Sequence, residues 1–325
     1  MGGLRTAQVE HFHREGYVVA ERVLDPQRDL QPVIDEYTQV LDRIAQRKHA
    51  AGELAETYAG LPFAERAMTI ARETGYLDVQ PFDISMPLKR ELLTADAEFH
   101  FGPAVFDLLR NPRLLDCVES VLGPEIYSNP VQHVRVKVPE RLVPEGKRNA
   151  QNAATGWHQD QGVVLAEADE TDMLTVWFPL TEASERHGCL QVVPRSHVEG
   201  LRTHCPVPLQ GSRIPDTLVP QERAVPVPMR PGSVLFMHRQ TLHGSLSNLS
   251  DTIRWSFDIR YQPIGQPTGR PIFPGFVARS RANPASELRD HTAWYQRWMA
   301  TRDHLLGLDQ MPKLVRWTGE HAVCA

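Results

Sequence analysis

Apolar positions recur with helical spacing along the first third of the chain and in steps of two along much of the middle. Thr6 to Glu15 read as a short helix ended by Gly16, and the apolar run Tyr17-Val18-Val19-Ala20 predicts a strand. Asp25 and Pro26 have the chemistry of an N-cap and a first-turn proline. Leu30, Val33, Ile34, Tyr37, Val40, Leu41 and Ile44 follow at steps of three and four, which predicts one long amphipathic helix over 27–47. Residues 50–80 look helical but less regular. Two further helices are expected around 102–110 and 112–122, the second starting after Asn111.

After Gly123 the texture changes to short apolar or alternating runs broken by Pro and Gly, at 131–138, 173–179, 189–193, 233–237 and 252–261. In the last of these, Ile253, Trp255, Phe257, Ile259 and Tyr261 alternate with Arg254, Ser256, Asp258 and Arg260, so one face is apolar and the other polar. Segments 139–155 and 200–228 read as long irregular loops, a length that in a compact domain is usually functional. Helices precede strands in blocks instead of alternating with them. The fold class is therefore α+β, built on an antiparallel sandwich or barrel and not on a doubly wound sheet.

Composition narrows the function. The 325 residues are 41% hydrophobic and 23% charged, with a formal charge of −5, which suits a folded globular protein and lacks the basic excess of a nucleic-acid binder. No apolar run is long enough for a membrane span, and the N-terminus lacks the apolar stretch of a signal peptide, so a cytoplasmic location without nucleic-acid or membrane partners is expected. Cys117, Cys189, Cys205 and Cys324 form no CxxC pair and are expected to be free thiols.

The sharpest local feature is Gly156-Trp157-His158-Gln159-Asp160-Gln161-Gly162. In an extended segment the His158 imidazole and Asp160 carboxylate project to one side and can share a cation. With 14 histidines and 18 aspartates in 325 residues, chance supplies ~0.8 of an HxD, so the tripeptide needs company. His243 provides a third donor just after the strand-like 233–237. Two imidazoles and a carboxylate on one side of an ion are the arrangement of non-haem Fe(II) oxygenases. Arg254, at the start of the polar face, could grip a carboxylate co-substrate with two parallel hydrogen bonds.

These residues belong to a longer pattern. It comprises Phe12, Gly16 to Val19 and Val23-Leu24, then Trp157 to Asp160, then Leu174–Leu180, then Gly188-Cys189-Leu190-Gln191-Val192-Val193-Pro194-Arg195-Ser196-His197, then His243-Gly244-Ser245 and Arg254. The chain resembles the phytanoyl-CoA dioxygenase-like branch of the Fe(II)/2-oxoglutarate oxygenases. Arg195 stands where that branch commonly has glycine. The resemblance implies a double-stranded β-helix, the jelly-roll of cupin-like proteins, wrapped by N-terminal helices. It implies a single domain over 1–325, with a mainly helical part at 1–122, the jelly-roll at 123–265 and a helical extension at 266–325. His158, Asp160 and His243 would hold iron, Arg254 would pair with the distal carboxylate of 2-oxoglutarate, Ser245 would support it, and O2 would be the second co-substrate.

Other pocket candidates follow from alternation. His133, Arg135 and Lys137 share one face of 131–138 and could touch 2-oxoglutarate or substrate, although a solvated strand face has the same pattern. Thr175 and Trp177 share a face of the next strand; Thr175 is a candidate for the co-substrate and Trp177 for the pocket wall. Trp157 and Gln159 flank the ligands and are taken as substrate-pocket residues. Trp294, Tyr295 and Trp298 are expected to pack a C-terminal helix onto the barrel.

The implied reaction converts 2-oxoglutarate to succinate and CO2 and hydroxylates an unactivated C–H of a small metabolite or natural-product intermediate. Because Asp160 supplies a carboxylate where halogenating relatives carry a small residue, hydroxylation is favoured over halogenation, while desaturation, cyclisation and epimerisation use the same iron site. An acyl-CoA is the alternative substrate, for which Arg141, Lys147 and Arg148 are the available cations. A non-catalytic cupin-like metal-binding protein or a zinc hydrolase would share the donor set, and the oligomeric state is not encoded in any pattern here.

Overall fold

The computed structural model describes residues 2–87 and 90–324. Helix α1 (Thr6–Glu15) ends on Gly16, whose φ of 83° is the left-handed conformation that glycine adopts without strain. Strand β1 (Tyr17–Ala20) follows directly. The Asp25 carboxylate then accepts hydrogen bonds from the Gln27 and Arg28 amides at 3.0 and 2.9 Å, capping a π turn that leads into α2 (Gln31–Ala50). Helices α3 (Phe63–Thr74), α4 (Pro103–Leu109) and α5 (Pro112–Leu122) complete the layer, and Asn111 caps α5.

The strands are β2 (Glu125–Lys137), β3 (Leu174–Pro179), β4 (Leu190–Val192), β5 (Cys205–Val207), β6 (Gly211–Arg213), β7 (Val225–Val227), β8 (Val234–His238), β9 (His243–Ser245), β10 (Arg254–Pro263) and β11 (Phe276–Ser280). A six-stranded antiparallel sheet has the order β1-β8-β3-β10-β2-β11, and a three-stranded one has the order β7-β4-β9. Side chains of the two sheets meet in the cluster that joins Trp177, Leu235 and Met237 to Leu190, Val192 and Val227. This is the double-stranded β-helix. A hairpin, β5–β6, occupies part of the segment expected to be an irregular loop.

The outer face of the large sheet buries its apolar residues under the helices. Trp255 stacks on Phe63 with centroids 4.3 Å apart and meets Tyr37 edge-on at 5.3 Å. The alternation along β10 therefore means something other than a wet face: both faces are buried, the apolar one under helices and the polar one inside the barrel. Among the described residues no helix is long and apolar enough to cross a membrane.

Past residue 265 the expectation of a helical extension over 266–325 holds only in part. The chain first adds β11 beside β2 and only then forms α7 (His291–Leu306). Trp294 and Trp298 are buried, four residues apart on one helix face, whereas Tyr295 lies one position round and is 44% exposed.

The cysteine expectation is also corrected. Cys205 and Cys324 form a disulfide across a separation of 119 residues, with Cα atoms 5.3 Å apart, while Cys117 and Cys189 are buried thiols. The bond pins residues 309–324 to the β5–β6 hairpin. Reduction, or Cys324→Ser, is expected to lower stability by about 4.7 kcal/mol, the chain-entropy value for closing a loop of about a hundred residues, read as a shift in denaturant midpoint. Arg195 takes a left-handed φ of 64° while its amide donates to the Glu15 carbonyl at 2.8 Å. A side chain is strained there, so Arg195→Gly is expected to raise stability by roughly 0.5–1 kcal/mol in the same measurement.

Candidate metal centre and co-substrate chamber

Strand register assembles the site. Across the large sheet Arg254 pairs with Lys137, Asp258 with both His133 and Trp177, and Arg260 with Thr175. Paired residues share a face, so the polar members of three strands form one patch inside the barrel. The small sheet faces it with His243, which also forms an isolated bridge with His158, their amides and carbonyls bonded in both directions at 2.9 and 3.0 Å.

His158, Asp160 and His243 each offer a ligand atom within 4.8 Å of the other two, and all three are buried. Asp160 Oδ1 lies 3.7 Å from His158 Nε2 and 3.9 Å from His243 Nε2. Each imidazole has its Nδ1 2.9 Å from a backbone carbonyl, Gly156 for His158 and Thr241 for His243. Those carbonyls keep the proton on Nδ1 and leave both Nε2 lone pairs directed at the cluster. Asp160 is held by both oxygens: Arg260 donates to Oδ1 at 2.6 Å and the Thr175 hydroxyl donates to Oδ2. Burial works to raise the Asp160 pKa, but the Arg260 charge and the two imidazoles outweigh it and hold the carboxyl ionised. Burial, with His243 alongside, pushes His158 down to about 3.

Beside this cluster lie two buried cations. Arg254 donates from Nη1 to Ser256 Oγ at 2.9 Å, stands 5.7 Å above the Trp177 ring, and its Nε has no partner. Burial and the neighbouring Arg135 depress it to about 9. Lys137 donates to the Ala153 carbonyl, to Thr155 Oγ1 at 2.8 Å and to Ser245 Oγ at 3.3 Å, and burial with the Arg254 charge drives its pKa well below the usual range. Among the described residues neither has a carboxylate in salt-bridge contact. Unpaired buried cations are costly, and a dicarboxylate is the partner that would relieve both. Ser245 also accepts from the Thr155 amide at 2.9 Å, which fixes its hydroxyl beside Lys137. Arg254 and Trp177 share a chamber with Leu190, Met237 and the two imidazoles.

The remaining candidates divide. Arg135 donates to Asp258 Oδ2 at 3.0 Å and to Gln151 Oε1 at 2.7 Å, and with His133 it lines a larger cavity that opens on His158. Thr175 touches Asp160 and does not line the chamber of Arg254. The placement of Trp157 and Gln159 in the substrate wall is corrected: with His158 and Asp160 turned inward, alternation turns them outward. Trp157 packs with Val193, Ile214 and Leu242. The Gln159 side chain bonds the Gly200 and Gln240 carbonyls and the Arg202 amide at 2.7–2.9 Å, tying three segments behind the ligands. Sequence reasoning passed over Arg260, although it shares the face of Arg254. It also passed over Asp83, whose irregular segment carries no signal.

A tail of residues backs this site. The amide of Gln159 donates to His204 Nε2 at 3.0 Å, His204 stacks on Trp317 at 5.2 Å, and Trp317 donates to the Gly162 carbonyl at 2.6 Å.

A jelly-roll that converges two histidines and an aspartate at the end of its lumen defines the class of mononuclear non-haem metal proteins. The chain belongs to the phytanoyl-CoA dioxygenase (PhyH) family, whose sequence model matches residues 12–256. Ectoine dioxygenase of Bordetella parapertussis is 28% identical over 166 residues, 46% of this chain and 50% of that protein. A zebrafish phytanoyl-CoA dioxygenase domain-containing protein 1 is 27% identical over 88 residues, 25% of this chain and 30% of that protein. The chain thus spans half or less of the length of these curated relatives. Among solved structures, the non-heme monooxygenase ThoJ has the same fold at a TM-score of 0.58 and 19% identity, covering 91% of this chain and 96% of that one. EvdO2 from Micromonospora carbonacea gives 0.51 and 19%, covering 83% and 97%.

The buried imidazoles predict the acid limit of the metal-free protein. Burial lowers His158 to about 3, and His204 and His238 to about 4, from an ordinary value of 6.5. Each stays neutral in the fold but binds a proton once the chain unfolds below 6.5, so stability present at pH 7 is lost as the pH falls toward 4. Thermal scans at pH 7 and 4.5 should show a clear drop in Tm; an unchanged Tm would contradict these burials.

Proposed function

We propose that the protein is an Fe(II)- and 2-oxoglutarate-dependent dioxygenase that hydroxylates a C–H bond of a small molecule. The observation that carries this reading is a pair of buried basic side chains, Arg254 and Lys137, without a carboxylate in salt-bridge contact among the described residues, beside a two-histidine, one-carboxylate cluster. His158, Asp160 and His243 would hold the iron, a donor set of two imidazoles and one carboxylate that suits Fe(II) and leaves positions open. Arg254 would pair with the distal carboxylate of 2-oxoglutarate, with Lys137 and Ser245 alongside. When bound, the iron and keto acid supply decarboxylation to succinate and CO2 and the transfer of one oxygen atom of O2 to the substrate.

What the chain itself does is orient and exclude. The Gly156 and Thr241 carbonyls aim the imidazoles, and Thr175 and Arg260 fix both oxygens of Asp160. Trp177, Leu190 and Met237 keep bulk water from the chamber. Because Asp160 occupies the third ligand position, hydroxylation is the reaction this site favours over halogenation. Family membership and the resemblance to ectoine dioxygenase support the same reading. A non-catalytic cupin-like protein has no need of a buried guanidinium and a buried amine without carboxylate partners beside its metal cluster.

The purified protein with Fe(II), ascorbate, O2 and 2-oxoglutarate is expected to release succinate slowly even without substrate, and a chelator should stop it. Asp160→Ala should lower that turnover at least 100-fold. Arg254→Met should raise the KM for 2-oxoglutarate roughly 10- to 100-fold, the loss of a charge-assisted pair. Succinate release that ignores Fe(II), or an Arg254→Met enzyme with an unchanged KM, would sink the proposal.

A further inference from the structure

The cavity that leads to His158 has a volume of about 730 Å³. That is the size of a site for a drug-sized ligand, several times what an amino-acid-like molecule fills. Its walls are unlike one another. One presents Val79, Pro81 and Met86, and two side chains on its lining, Leu92 and Leu209, are 58% and 50% exposed. Together these side chains give the cavity an apolar side, the usual character of a small-molecule site.

The opposite wall carries a fixed polar device. Asp83 is buried and accepts four hydrogen bonds, from the Ile84 and Val134 amides at 2.9 Å each, from His133 Nδ1 at 2.9 Å and from Gln151 Nε2 at 2.7 Å. Gln151 Nε2 also lies 3.1 Å from His133 Nδ1, but both nitrogens have the Asp83 carboxylate, the stronger acceptor, nearer at 2.7 and 2.9 Å, so both donate to it and the neutral imidazole carries its proton on Nδ1. Nε2 is then an acceptor, without a protein partner among the described residues. His133 also lines the smaller cavity that joins this space to His158 and Arg260, which sets it between the large cavity and the metal cluster.

Charge on the lining selects further. Arg47 is tied to Glu98 and Arg135 to Asp258, which leaves Arg213 as the described guanidinium of the wall without a carboxylate partner. Against it stand Asp78 and Asp96, which form no ion pair among the described residues, and the buried Asp83. Among the described residues, the cations of the 139–155 segment that coenzyme A phosphates could use are engaged elsewhere. Arg141 bonds Asp251 and the Ser250 carbonyl, Lys147 lies 4.5 Å above the Tyr76 ring, and Arg148 bonds Glu140. Phosphates require clustered, free Arg or Lys donors, and among the described residues this lining offers Arg213 alone, beside the carboxylates of Asp78 and Asp96.

Resting on the dioxygenase reading, we propose that the substrate is a neutral or cationic amphipath well above amino-acid size, which presents a hydroxyl or amino hydrogen to His133 Nε2, and that acyl-coenzyme A thioesters are excluded. Asp83 is the positioning residue that makes His133 an acceptor.

Four probes test this on the full chain loaded with Co(II) and 2-oxoglutarate: quinine, a fluorescent hydroxylated amphipathic amine; deoxyquinine; palmitoyl-CoA; and ectoine. Quinine should bind saturably and at least 10-fold more tightly than palmitoyl-CoA or ectoine. His133→Ala should weaken quinine about 10-fold while leaving deoxyquinine, which lacks the hydroxyl, unchanged, and Asp83→Asn should act in the same direction. His133→Gln, a second acceptor-bearing variant, should recover part of the loss and guards against misfolding of the alanine form. Tighter binding of palmitoyl-CoA or ectoine, no saturable binding of quinine, or equal effects on quinine and deoxyquinine would overturn the proposal. Fe(II)-dependent succinate release measured without any probe reports separately on the dioxygenase reading, so one can fail while the other stands.

Discussion

The arrangement depends on keeping charge inside a barrel. Desolvating an ion costs several kcal/mol, and a lumen lined by Arg135, Lys137, Asp160, Arg254, Asp258 and Arg260 is tolerable only if charges alternate or await a partner. Half of that requirement is met within the protein. Arg135, Asp258, Arg260 and Asp160 form a chain of ion pairs at 3.0, 3.2 and 2.6 Å, each carboxylate between or against a guanidinium. Arg254 and Lys137 stand outside the chain, and their isolation points to an anion as a working part of the interior.

The helical layer makes this possible. A sheet with polar residues inside must bury its other face as well, and Tyr37, Phe63 and Phe82 close over Trp255 and Phe257 to do so. β10 therefore joins the hydrophobic core to the reactive chamber, one residue to each side in turn. A shift of one position would exchange the two sets and place guanidiniums under the helices.

How much of this could be read beforehand follows from period and distance. The period-two alternation of 253–261 exposed the polar face and Arg254, and the HxD segment with His243 completed the donor set. The same rule, carried one residue further, would have turned Trp157 and Gln159 away from the cavity. Thr175 and Arg260 required the register of β3 on β10, which no single strand contains. Asp83 and Gln151 sit in irregular segments, where local pattern is silent. The pairing of Cys205 with Cys324 has no spacing signature at 119 residues; tertiary contacts such as the packing of Trp317 against His204 bring the two together.

That tail bears on how the molecule comes apart. Arg316 pairs with Asp169 at 2.9 Å and Trp317 holds the Gly162 carbonyl, so the segment behind the ligands is braced by residues more than 140 positions away. A protease that nicks the stretch between 308 and 315 would sever the peptide but not the connection, because sulfur still tethers the fragment to the hairpin. Two unrelated events, hydrolysis and reduction, must coincide before the brace departs.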